Sequence, residues 1–182
     1  MEPKSPDALR ARARRLYEIG RARSAAWTAL VALPFVAIAL LGCEARMAVI
    51  LLGAVLYLLT AGLFFRGQVY ASAVGPGLVA GAAPLLAPLL LRRSGHCCMG
   101  GVCWSGCMVA CIAGGVAAGL VIGWAAAKRE EQPGALWVAA AAVAALTGCL
   151  GCVAAGLAGV LGMVVALVVA SLPILGVVRA RA

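Results

Sequence analysis

The chain has 182 residues, 65% of them apolar and 12% charged, with a mean hydropathy of +1.07. A soluble domain is about half apolar and a quarter charged, so this composition excludes a water-soluble globule. It also excludes a disordered chain, which needs low hydrophobicity and high net charge. Fifteen Lys and Arg against six Asp and Glu give a net charge of +9, and none of these charges interrupts the long apolar runs.

The soluble part comes first and is short. Residues 1–24 open with Ser5-Pro6-Asp7, a helix-start signature with Ser5 as N-cap and Pro6 at the first helical position. Leu9, Ala13, Leu16 and Tyr17 then share one side of a basic amphipathic helix, with Arg10, Arg14, Arg15 and Arg21 among the arginines around the rest. Such a segment anchors topology, lies on an anionic leaflet or docks in a partner's groove. It is too short for any nucleic-acid module, so its basicity points to membrane lipid or protein and not to direct nucleic-acid binding.

The apolar runs follow as Ala25–Cys43, Met47–Phe65, Val69–Leu91, Trp104–Ala127 and Ala135–Val178. A helix crosses the hydrocarbon in about 20 residues, so the first four runs hold one crossing each. The last run holds two, with the turn expected at Gly156-Leu157-Ala158-Gly159. The predicted fold class is all-α: a polytopic integral membrane protein with six transmembrane helices and both termini cytoplasmic. Residues 25–178 form the membrane domain and residues 179–182 a basic cytoplasmic C-terminus. With that orientation twelve Lys and Arg lie inside and only Arg46, Arg92 and Arg93 outside, a clear positive-inside bias.

The first apolar run is too long and too late for a cleavable signal peptide. Leu40-Leu41-Gly42-Cys43 has the form of a lipoprotein processing box, but five further spans follow it. Two Lys against thirteen Arg, with abundant Ala and Gly, fit a GC-rich bacterial genome and hence a bacterial inner membrane. Span three carries Gly75-Pro76-Gly77, Pro84 and Pro88 and is expected to be kinked or broken.

All eight cysteines map to one side of this topology. Cys43 ends span one, His96-Cys97-Cys98 lies in the loop after span three, Cys103, Cys107 and Cys111 enter span four, and Cys149 and Cys152 lie late in span five. Fillers scattered at random would not sort in this way. Cys103, Cys107, Cys111, Gly115, Gly119 and Gly123 recur at every fourth position, as do Gly148, Cys152 and Gly156. These small-residue ridges let backbones approach closely, within the chain or in a homo-oligomer. The spacing predicts that the ridges of spans four and five pack together and bring their cysteines into contact.

Three chemistries suit such a cluster. Disulfide bonding fits an oxidising compartment. Thiolates with the imidazole of His96 suit zinc or another soft metal, and no cofactor is settled among these. Thiol exchange would use the C-x-x-C spacing of Cys149 and Cys152. Inert small apolar packing is the plain alternative. No carboxylate lies within a span and the single His has no Asp near it, so proton relays and Ser/His/Asp hydrolysis are excluded and no catalytic residue is assigned.

Six short spans, a basic N-terminal segment and cysteines in the later spans resemble the multi-pass bacterial anti-sigma factors. The resemblance implies that residues 1–24 hold a sigma factor at the membrane and that the cysteines release it on a redox or metal signal. The vicinal Cys97-Cys98 resembles the pair of mercuric-ion transport proteins, implying thiophilic-metal (mercury or copper) transport. The C-x-x-C with separate loop cysteines resembles quinone-linked thiol oxidases, the one enzymatic reading. The expectation is a non-enzymatic membrane sensor with an extracytoplasmic thiol cluster.

Overall fold

The computed structural model describes residues 6–42, 45–93, 103–129, 133–153 and 156–181. Among the described residues seven α-helices follow one another: α1 (Pro6–Ala29), α2 (Leu33–Gly42), α3 (Arg46–Arg66), α4 (Gln68–Arg93), α5 (Cys103–Ala127), α6 (Pro133–Cys152) and α7 (Gly156–Arg181). A single 3-10 turn, Leu30–Ala32, joins α1 to α2. No strand occurs among the described residues. Among the described residues six helices are long and apolar enough to cross a membrane, the first being the α1–α2 unit.

Short connections set the helix directions. Gly67 alone separates α3 from α4, with φ of +128°, and Gly156 opens α7 with φ of +75°. A Cβ is disfavoured at both values, so glycine is what permits these two reversals. The turn expected within the last apolar run therefore has Gly156, the first of its four predicted residues, at the start of α7. Gly156 is its hinge and does not belong to the ridge of α6, and Gly159 already lies inside α7.

Prolines mark two helix starts, Pro6 in α1 and Pro133 in α6, where their missing N–H costs nothing. Ser5, the expected N-cap, lies outside the described residues. Pro76, Pro84 and Pro88 lie inside α4, yet they do not interrupt it. Of the two expected outcomes, kinked or broken, the third span is thus not broken: close neighbours on α5 and α6 hold the helix through its prolines. Pro84 is packed against Gly114 and Gly148, which offer no side chain to obstruct it.

The core lies where α4, α5, α6 and α7 meet, and the most extensive contacts are α5 on α7 and α4 on α6. Both pairs run parallel. Gly77 faces the Ala140 carbonyl and Val143, and one turn further Gly81 faces the Ala144 carbonyl and Thr147. Gly115 faces the Met163 carbonyl, Gly119 that of Leu167, and Gly123 packs against Ile174. Gly77, Gly81, Gly115 and Gly119 each remove a Cβ that would strike the partner's backbone, so two four-residue rows interlock. The glycines of the α5 ridge therefore meet α7 and not α6, while its Cys111 does meet Cys152 of α6 as the spacing predicted. That stretch of glycines is occupied within the chain.

The remaining helices wrap one side. Val36 of α2 fills the gap left by Gly53 of α3, and Tyr57 Oη donates a hydrogen bond to the Ala26 carbonyl at 3.2 Å. The buried hydroxyls of Thr60 and Thr147 and that of Ser171 donate to carbonyls of their own helices. Such back-bonding lets a hydroxyl sit among apolar helices without an unmet donor.

Candidate thiol cluster

The site begins with the ends of three helices. Cysteines on α5 enter from its first turns, those on α6 occupy its last turns, and α7 starts beside them. Four glycines then shape the space. Gly114 lies against Pro84, Gly115 against the Met163 backbone, Gly148 against Met163 Sδ and Pro84, and Gly151 against the Leu85 backbone. With no side chains at these positions, α4, α5, α6 and α7 converge around a small apolar chamber filled by sulfur.

Cys111 and Cys152 are both 0% exposed, as is Met163 from α7, and the three form one buried cluster. Cys107, Cys149, Val160 and Val164 pack around it and are partly buried. The thiols of Cys111 and Cys152 are in hydrogen-bond contact. Cys152 Sγ also lies 3.8 Å from Met163 Sδ and 3.8 Å from the Pro84 carbonyl oxygen. That carbonyl is special in the sequence itself. Its donor in a regular helix would be the N–H of residue 88, and residue 88 is proline. The Cys152 thiol stands where the freed acceptor needs a partner.

Cys107, Cys111, Cys149 and Cys152 are not joined in disulfides in this arrangement. Cys103 is the first residue of α5 and is described by its backbone position alone. Cys43, His96, Cys97 and Cys98 lie outside the described residues, so the expected thiol–imidazole loop adds nothing to this geometry. Among the described residues, no three His, Cys, Asp or Glu side chains stand close enough together to hold a metal ion.

The glycines predicted as packing residues divide. Gly115, Gly119 and Gly123 meet α7, Gly148 meets Met163 and Pro84, and Gly156 meets nothing within 4 Å. The basic arm also differs from a helix lying flat on a surface. It is one continuous helix with the start of the first apolar run, from Pro6 to Ala29, about 36 Å long. Arg14 pairs with Glu18 at 3.0 Å, and the Arg21 guanidinium lies over the Phe65 ring of α3 at 5.3 Å. Arg15 lines a shallow groove with Glu18, Ile19, Ala22 and Phe65, while Arg10 is exposed.

Sequence reasoning missed Met163 and Pro84. The signal for Met163 was present: Gly159, Met163, Leu167 and Ser171 repeat at every fourth position of α7, and all four are buried. The chain matches no protein-family model, no curated protein and no solved structure.

Proposed function

We propose that this protein is a multi-pass sensor of a bacterial inner membrane, with both termini cytoplasmic and a thiol cluster toward the outer face. Support for insertion comes from six helices of crossing length; support for orientation comes from the excess of Lys and Arg at the arm end. The observation that carries the sensor reading is the meeting of Cys111 from α5, Cys152 from α6 and Met163 from α7 in one buried place. A chemical change at these sulfurs acts on three helices at once.

Two signals suit the cluster. Oxidation joins Cys111 and Cys152 as a disulfide, each thiol giving up its hydrogen and the electron pair passing to a disulfide or quinone oxidant. A soft metal ion instead binds the sulfurs and displaces protons. Either event draws α5 and α6 together. The change reaches the arm through α3, which packs on both α6 and α1. Arg10, Arg14, Arg15 and Arg21 then present an altered surface to a cytoplasmic partner, as in an anti-sigma factor.

Trypsin cleavage of the arm in inverted vesicles tests this reading. Diamide or silver ion is expected to change the cleavage rate at the arginines of residues 10–23 in the parent chain. The Cys111→Ser, Cys152→Ser double variant is expected to show no such change. Equal rates with and without reagent in the parent chain overturn the proposal.

A further inference from the structure

Two thiols and a thioether meet in one place, and this sulfur set narrows which ligand the cluster takes. We infer that Cys111, Cys152 and Met163 form a three-sulfur site for a monovalent soft cation of the Cu(I) and Ag(I) class. The inference rests on the thiol-cluster reading above and names its ligand.

Geometry comes first. Cys152 Sγ is 3.8 Å from Met163 Sδ and in hydrogen-bond contact with Cys111. Two sulfurs that each keep roughly 2.3 Å from one d10 ion stand at most about 4.6 Å apart, so the 3.8 Å between Cys152 and Met163 lets both reach one cation. Cys111 belongs to the same buried cluster and supplies the third sulfur. The missing side chain at Gly148 leaves the Met163 thioether beside the site.

Donor chemistry comes second. Hard cations need several oxygens, whereas Cys111, Cys152 and Met163 meet through their sulfurs. Zinc in a closed site takes four donors of nitrogen, oxygen or thiolate type, whereas thiolate with thioether suits Cu(I). Charge comes third. A buried ion is tolerated only when compensated, so one monovalent cation displaces one thiol proton and the centre stays neutral. Cys152 is also the last residue of α6, where the helix dipole turns its negative end toward a cation.

The route in is built from the same row. Cys107 lies one turn before Cys111 on α5, about 6 Å nearer the helix start, and is partly exposed. It offers a thiol from which an incoming ion passes to the buried site.

The test uses the full chain in lipid nanodiscs without oxygen, titrated with silver ion. The expected result is one tightly held Ag(I) per chain, release of one proton, competition by Cu(I), and none by zinc. Met163→Leu conserves volume and keeps both thiols. It is expected to weaken silver binding by about tenfold or more while leaving diamide cross-linking of Cys111 to Cys152 intact. Cys111→Ser and Cys152→Ser are each expected to abolish tight binding. Unchanged affinity in Met163→Leu, or equal binding of zinc, overturns the assignment. If silver does not bind but diamide joins Cys111 to Cys152, the ligand is wrong and the responsive-thiol reading stands. If neither reagent reaches the thiols, both fail.

Discussion

The Cys152 thiol lies 3.8 Å from the carbonyl oxygen of Pro84, and Pro88 is the reason that this carbonyl has no N–H from its own helix. A proline four residues on removes the regular donor, and a thiol from the neighbouring helix takes its place. Three residues on two helices are thus coupled by one missing hydrogen. Pro88→Ala is expected to restore the helical donor and release Cys152 from the contact. The S–H stretching band lost on Cys152→Ala should move to higher wavenumber in the Pro88→Ala chain. An unmoved band means that the carbonyl does not hold the thiol.

Close approach of α5 and α7 is the most demanding packing in the molecule. A Cβ at Gly119 would collide with the Leu167 carbonyl and stand 2.9 Å from Ala170 Cβ. Because backbone cannot yield as a flexible side chain does, Gly119→Ala is expected to destabilise the fold by about 1–3 kcal/mol. At Gly62 of α3 an added methyl would meet nothing within 4 Å, so Gly62→Ala is expected to be neutral or stabilising by up to about 1 kcal/mol. Thermal unfolding of both variants in one detergent compares them directly. Equal behaviour would falsify the interlocking-row description.

A different mechanism acts at Gly156. It has open space around it, yet its φ of +75° lies in the left-handed region. Gly156→Ala is expected to cost about 1–2 kcal/mol through backbone strain and not through a clash. Gly156→Asn should recover part of that loss, since asparagine tolerates this region better than alanine. The ordering Gly, Asn, Ala in thermal stability is the signature to look for.

On the arm, the Arg21 guanidinium over Phe65 is the contact that ties α1 to α3 near the Gly67 turn. An exposed cation–π pair contributes about 0.5–1 kcal/mol. Phe65→Leu is therefore expected to raise trypsin cleavage after Arg21 and Arg23 a few-fold, while leaving cleavage after Arg12 nearly unchanged. Uniform acceleration along the arm would instead point to fraying of the whole helix.

Six stretches of crossing length were legible because burial in hydrocarbon demands long uncharged runs, and the runs Val69–Leu91 and Met47–Phe65 end within two residues of α4 and α3, but the fusion of the arm into α1 and the 3-10 turn at Leu30–Ala32 were not. The periodic rows of Cys107, Cys111, Gly115 and Gly119 were legible too. What they pack against was not. A four-residue row states that a neighbour comes close, but not which neighbour, and α7 fills that place although α6 follows α5 in the chain. The prolines of span three left open whether that helix is kinked or broken for a related reason: packing on Gly114 and Gly148, which the sequence does not show, keeps α4 whole.

Composition and charge placement alone therefore determined an all-helical chain with six helices of membrane-crossing length, since solvent sorting acts on each segment separately. Only the tertiary structure decided that α4 pairs with α6 and α5 with α7, and that Cys111, Cys152 and Met163 share one chamber. Those three sulfurs lie on different helices, and their meeting depends on glycine gaps at Gly115, Gly148 and Gly151 that matter only once the helices are assembled.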